Sequence, residues 1–311
     1  MKISPLNIRS TLDNPPPVLD FVLPGLLAGS AGTMVGSGGV GKTTLLMQVA
    51  VALSTGMPTI KDVFPTVGKP SRVVFIAGEE SGDILRIRLH AIGNLLTNEP
   101  VQKSLLSSAM TKHDKTLMEQ NLHLVPAAGH SVCLIKNGEP TEFYEALCQF
   151  CIGARLVIID PLRRLHDGDE NSSAAMTQVV QVLESLAKRT GAAIIVAHHM
   201  NKGAAFADAS DAAAASRGSS ALTDAVRWQL NLSGMTQKEA KWFGLTAEHK
   251  AYLKLDFAKT NYAAPQPTIW LKRLDGGVLI RTTPEKESKG VKNKSRASST
   301  NSYDSEGFAY V

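Results

Sequence analysis

Apolar residues along this chain come in short unbroken runs rather than in alternation with polar ones. The stretches "RVVFIAG" (72–78), "ARLVIID" (154–160) and "AAIIVAH" (192–198) are of this kind, and "GTMVG" (32–36) is a shorter example. Such runs predict strands buried on both faces, which means a parallel sheet with helices on each side. The intervening segments carry helical patterns. "KTTLLMQVAVALSTG" (42–56) predicts a helix ended by Gly56. "SGDILRIRLHAIGNLL" (81–96) predicts another, with Ser81 as N-cap and Ile84, Ile87, Leu89 and Ala91 supplying much of its apolar content. "NLHLVP" (121–126) reads as a strand, "TEFYEALCQFC" (141–151) as an amphipathic helix, and "SSAAMTQVVQVLESLAKRTG" (172–191) as a long helix with Gly191 just beyond its end. Residues 101–119 are helical or loose.

The pattern changes after His199. Residues 201–220 are a run of small residues, long enough to suggest a functional loop. "RWQLNL", "YLKLDFAKT", "TIWLKR" and "GGVLI" then form a set of late strands with hairpin-like turns. The expected fold class is therefore α/β: a mostly parallel central sheet flanked by helices and extended by late antiparallel strands. Residues 1–30, with the Pro-rich "NPPPVLDFVLPG" (14–25), form an extended entry segment suited to subunit contact. Residues 31–284 form the main domain. The basic, Ser-rich stretch 285–311 reads as a disordered tail.

Composition narrows the classes further. The 311 residues are 43% hydrophobic and 20% charged, as in a soluble globular protein. No apolar run approaches the roughly 20 residues of a membrane span, and "MKISPLNIRS" lacks a signal-peptide core. Three cysteines are too few for a disulfide scaffold, so a reducing cytoplasm is the expected setting. A net charge of +5 mildly favours a polyanionic partner. The pair Cys148 and Cys151 has zinc-like spacing, but a zinc site needs about four ligands. The helical pattern around the pair, with Phe143, Leu147 and Phe150 or Cys151 on one face, favours core packing.

The chemistry centres on "GSGGVGKT", Gly36 to Thr43, which fits GxxxxGK[ST] between a strand and a helix. Gly36, Ser37, Gly38, Gly39, Val40 and Gly41 form a loop whose N–H groups converge on phosphate oxygens. Lys42 reaches the terminal phosphates of ATP, Thr43 ligates Mg²⁺, and Thr44 continues the cradle. Asp160 ends an apolar strand, where ligands bind in open α/β sheets, and is the expected second metal group, acting through water. Glu79 and Glu80 follow the strand 72–78. Adjacent side chains at a strand end point opposite ways, so only one faces the nucleotide; Glu79 is the expected catalytic acid and Glu80 a solvated charge. "AHHMNKG" (197–203) places two histidines on opposite sides of a strand end, which argues against a shared metal.

The order of these features resembles that of the RecA-like ATPases that include DnaB-type ring helicases. In that family a polar residue at the end of the strand beside the Asp-bearing one senses the γ-phosphate. The resemblance makes His199 the sensor, with His198 packed or oriented behind it. "RLHAIG", "DPLRRLHDGDEN", "HHMNKGAA", "ASRGSS", "VRWQ" and "KTNYAAP" carry a closer one. They are similar to the RepA-type hexameric replicative helicases of IncQ broad-host-range plasmids, over roughly residues 15 to 280. That resemblance implies a homohexameric ring moving 5′-to-3′ on single-stranded DNA at a fork. ATP and Mg²⁺ serve as cofactors, and a plasmid initiator and a primase are further partners. It makes Arg227 the arginine finger acting on a neighbouring subunit, with Arg217 and Lys259 as competing finger or piston cations. Arg163, Arg164, Lys202 and Arg217 are the expected DNA contacts, on the loops after Asp160 and His199. A RecA-like DNA-binding ATPase acting as switch or filament, without unwinding, shares the same P-loop. "LSGMTQ" (232–237) half-resembles an ABC-transporter signature, but it follows Asp160 rather than preceding it.

Overall fold

A computed structural model describes residues 4–57, 60, 62–65, 68–97, 110–199 and 220–284. A short helix, α1 (Ile8–Asp13), and a small hairpin of β1 (Phe21–Leu23) and β2 (Leu26–Leu27) lead in. The main sheet has nine strands in the order β13-β12-β11-β10-β3-β9-β8-β4-β5. Its parallel part consists of β3 (Ala31–Gly36), β4 (Val73–Ala77), β5 (Leu122–Pro126), β8 (Leu156–Asp160), β9 (Ala193–His199) and β10 (Trp228–Gly234). From β10 onward the sheet is antiparallel, through β11 (Tyr252–Thr260), β12 (Ile269–Arg273) and β13 (Leu279–Thr282). A two-stranded ribbon of β6 (Ile135–Lys136) and β7 (Glu139–Pro140) stands apart. The mixed sheet expected from the apolar runs and late hairpins is the one observed.

Helices α2 (Lys42–Thr55), α3 (Gly82–Thr97) and α4 (Lys112–Asn121) alternate with the early strands. They are followed by α5 (Glu142–Phe150), α6 (Ser173–Thr190) and α7 (Ser220–Ala225). A further helix, α8 (Gln237–Phe243), sits between β10 and β11. Strand parity divides the interior into two cores. Val73, Phe75, Ala77, Leu156, Ile158, Ala193, Ile195 and Ala197 pack with α2 and α3. Val74, Ile76, Val157, Ile159, Ile194 and Val196 pack with α5 and α6. Because a strand alternates its side chains, Asp160 and His199 continue the α2 face, whereas His198 continues the α6 face.

Two helices bury faces other than those their apolar content suggests. In α3, Leu85, Ile92 and Leu96 are buried with Leu89 packed against the same core, a spacing of four, three and four. Ile84 and Ile87 lie off that stripe and stay exposed. In α5, Tyr144, Leu147 and Cys148 are buried with Cys151 just past the helix, while Phe150 is exposed under the Arg72 guanidinium. Burial pushes the Cys151 thiol up to about 12, so both cysteines of the pair serve as small apolar residues. "LSGMTQ" is the end of β10 followed by Thr236, which caps α8 in a reciprocal box with Glu239.

A buried side chain ties the antiparallel extension to α2. Gln48 of α2 donates to the Leu279 carbonyl at 2.8 Å and accepts from the Leu279 N–H at 2.9 Å. Gln48→Leu would leave both Leu279 backbone groups unpaired in the interior. The expected cost is about 2–4 kcal/mol of unfolding free energy, read from denaturant melts. A loss under about 0.5 kcal/mol, the scale of an ordinary surface substitution, would contradict it.

Candidate nucleotide site

The strand register assembles the site. Gly36 is paired with His199 across β3 and β9, and Ala77 with Asp160 across β4 and β8. The carboxyl ends of four strands therefore lie along one edge of the sheet. Gly36 must be glycine for a second reason: a Cβ there would collide with the Leu232 carbonyl of β10. Beyond it the loop turns through Gly39 (φ 72°) and Gly41 (φ 114°), both left-handed, and enters α2 at Lys42. The result is a cleft of about 340 Å³, lined by Gly39, Gly41, Lys42, Thr43, Ala77, Glu79, Glu80, Arg88, Asp160 and His199. That is within the range of small-molecule sites.

Lys42 is 4% exposed, and all three ammonium protons have acceptors. They go to the Gly36 carbonyl at 2.7 Å, the Ser37 carbonyl at 3.0 Å and Nδ1 of His199 at 3.2 Å. The last contact fixes His199 as a neutral imidazole accepting through Nδ1. Its pKa is lowered, by burial first and then by the Lys42 charge. Burial also lowers Lys42 itself to about 8, against the pull of Asp160 and Glu79. Thr43 donates its hydroxyl to Oδ2 of Asp160 at 2.6 Å. Burial raises the Asp160 carboxyl, while Thr43 and Lys42 hold it down. His198 is buried on the far face and driven to about 4, by burial first and then by its neighbours, the Lys42 charge among them.

The structure thus gathers Lys42, Thr43, Asp160, Glu79 and His199 into one cleft. It differs from expectation at Glu80, which also lines the cleft instead of facing solvent. Strand alternation does not extend that far: β4 ends at Ala77, and Gly78 and Glu79 form a bend. Glu80 is held by Arg88, which donates through Nε at 2.9 and 3.1 Å, and Arg88 also donates to the Thr44 hydroxyl at 3.0 Å. Glu79 pairs at 3.3 Å with Arg164, from the loop after Asp160. Arg163 donates to the Gly168 carbonyl of its own loop at 3.2 Å and is otherwise exposed. Neither arginine pairs with Asp167 or Asp169; Asp167 instead accepts from the Asn137 N–H.

Arg227 and Lys259 do not enter this cleft. Gln229 is level with both Thr33 and Lys259, so these cations sit at the amino end of β3, away from Gly36. Lys259 donates to the Thr223 and Asp224 carbonyls at 2.8 and 2.9 Å, closing the end of α7. Arg227 is exposed. Lys202 and Arg217 lie outside the described residues. Two cleft-side cations were missed from sequence, Arg88 and Arg273. Arg273 ends β12 and donates to the Val40 carbonyl at 2.5 Å, strapping the P-loop from outside. Counting strand directions from β10 onward puts the end of β12 at the P-loop level, so that signal was present.

An AAA domain family model matches residues 2–205, well over half of the chain. The chain belongs to the AAA domain family. With the geometry above, it is a P-loop ATPase. Among characterised proteins it is 27% identical to the DNA repair protein RadA of Synechocystis sp. (strain ATCC 27184 / PCC 6803 / Kazusa) over 194 residues. That match covers 61% of this chain and 32% of RadA, about a third of the relative's length. Two solved structures share the fold at 16% identity. One is an ATPase domain, with a TM-score of 0.54, covering 82% of this chain and 86% of that one. The other is a DnaB-like replicative helicase, solved to show its interactions with primase. It has a TM-score of 0.56, covering 88% of this chain and 66% of that one. The chain shares the fold of these two structures. Among the described residues no helix is long and apolar enough to cross a membrane.

The donor set fits a nucleoside triphosphate with Mg²⁺: a buried ammonium, a glycine loop at a helix start, and a Thr hydroxyl beside a buried carboxyl. Phosphate charge beside Lys42 raises its pKa above the value of about 8 in the free protein. Binding should therefore take up a proton that is absent near pH 7 and grows as pH rises past about 8. Calorimetric titration of ATP in buffers of different ionisation enthalpy reads this directly. Uptake that stays flat from about pH 7 to about pH 9 would contradict the depressed pKa, and Lys42→Arg should flatten it.

Proposed function

We propose that this chain is an ATP-driven DNA helicase of the IncQ RepA type. It forms a homohexameric ring that moves 5′-to-3′ on single-stranded DNA and separates the duplex at a fork. The observation that carries this reading is the Lys42–His199 contact. An ammonium that must leave His199 to reach a phosphate makes the end of β9 responsive to nucleotide. The chain after β9 carries Lys202 and Arg217, the cations assigned to DNA. The DNA context is supported by the similarity to RadA and by the fold shared with DnaB-like helicases.

In this mechanism Lys42 gives up its contact with His199 for the terminal phosphates. Thr43 and Asp160 would hold Mg²⁺, whose charge would neutralise phosphate oxygens. Glu79 orients the attacking water and takes its proton. His199, released from Lys42, senses the γ-phosphate. Arg163, Arg164, Lys202 and Arg217 hold DNA phosphates with little sequence preference. Arg227 completes the site of the neighbouring subunit. Its placement away from its own cleft supports action in trans, and the engagement of Lys259 with α7 favours Arg227 over Lys259. A primase and a plasmid initiator fit this role as partners at a fork.

Arg227→Ala should leave ATP affinity nearly intact and cut turnover by about 10³-fold or more. Lys42→Ala should be inactive through its own site. Mixed rings of the two should regain part of the ATPase activity, because an inactive Lys42→Ala subunit still lends its arginine. Absence of recovery in mixed rings verified by native mass spectrometry would remove Arg227 from the interface role.

A further inference from the structure

Strands β10 and β11 stay paired as far as Gly234 and Leu253, so a short turn would be enough to join them. The chain instead runs out through residues 235–251, and this excursion builds a small core of its own. Met235, Ala240 and Tyr252 are buried together there, and the Phe243 ring packs edge-on against Trp270 at 5.6 Å. The reciprocal box of Thr236 and Glu239 fixes the start of α8. The sheet requires none of this, so the use of the excursion lies in what α8 turns outward.

Ala240 and Phe243 form the inner side of α8. Lys238, Lys241 and Trp242 recur at spacings of three and four and share the opposite side. All three are exposed, Trp242 to 64%. The two carboxylates of the excursion are committed elsewhere, Glu239 to Lys254 at 2.6 Å and Glu248 to Lys272 at 3.5 Å. Among the described residues neither Lys238 nor Lys241 has a carboxylate within ion-pair distance. The outer side of α8 therefore sets two uncompensated positive charges around a tryptophan. Lysine is depleted at the centre of protein interfaces. A single-stranded nucleic acid uses both features, its phosphates on the ammonium groups and a base on the ring.

The position of α8 agrees with such a partner. Leu232 is paired with Gly36, and Gly36 with His199. Strand β10 is two places from β9 in the sheet, about 10 Å away. The chain thus leaves β10 for α8 at the same sheet edge as Asp160 and His199, whose following loops carry the cations assigned to DNA. We propose that the outer side of α8 is a further contact for single-stranded nucleic acid, with one base stacked on Trp242 and neighbouring phosphates held by Lys238 and Lys241. The contact rests on the DNA reading above and extends it to the antiparallel half of the sheet.

The test titrates the full chain with oligo-dT, following both anisotropy of the labelled strand and tryptophan emission. Trp228 is only 1% exposed and Trp270 is half-buried, so Trp242 should dominate any quenching. Trp242→Phe should lose the quenching and keep most of the affinity, because a phenyl ring still stacks. Trp242→Ala should weaken binding roughly 5- to 150-fold, the worth of one stacked base. Lys238→Ala combined with Lys241→Ala should make the dependence of log affinity on log salt shallower by about 1.4, at about 0.7 per phosphate contact on a single strand. ATPase without DNA and the thermal midpoint should stay at wild-type values, since all three side chains are at the surface. Oligo-dT binding with the same affinity, quenching and salt slope in every variant would overturn the α8 contact, give this side of the helix to a protein partner and leave the DNA reading standing. Binding that depends on Trp242 without strand release from a fork would support the contact and overturn the motor. A wild-type chain that does not bind oligo-dT would overturn both.

Discussion

A buried ammonium must be fully hydrogen-bonded or lose its charge, and Lys42 sits under that constraint. Its solution uses two carbonyls at the start of the P-loop and one ring nitrogen of His199. Each acceptor has its own requirement. The carbonyls are available because the chain leaves β3 at Gly36, where no side chain fits against β10. The imidazole is available because the β3–β9 register sets His199 beside Gly36. The sheet, the glycine and the histidine are thus parts of one arrangement. The arrangement is closed on itself, and a phosphate oxygen reaching Lys42 competes with these three acceptors.

Much of this was legible in the sequence because the deciding signals are local. Four unbroken apolar runs specify doubly covered strands. The P-loop glycines, and the acids and histidines at strand ends, mark one edge of the sheet. Strand parity even separates His199 from His198. The misses share a cause. Glu80 was misplaced because alternation stops where β4 stops, at Ala77. The buried stripe of α3 was obscured because Ile84 and Ile87 are as apolar as Leu85 and Leu89 but sit off the contact face. Arg88, Arg273 and Gln48 act across more than 40 residues of sequence, through pairings that no local window contains.

The two halves of the sheet divide the work. The parallel half holds the nucleotide at its carboxyl edge. The antiparallel extension does two things at opposite ends. At the nucleotide end, Arg273 and the Gln48–Leu279 pair brace the P-loop and α2 from outside. At the other end it displays Arg227 next to an already engaged Lys259.

Strand displacement from a forked duplex is the most direct measurement of whether the cleft drives work on DNA. The purified chain, given ATP and Mg²⁺, should release the labelled strand from a fork with a 5′ single-stranded tail and not from one with only a 3′ tail. Release should stop when a non-hydrolysable analogue replaces ATP. ATP turnover that rises with DNA while no strand is released from any fork would contradict the motor and leave a DNA-responsive switch in its place.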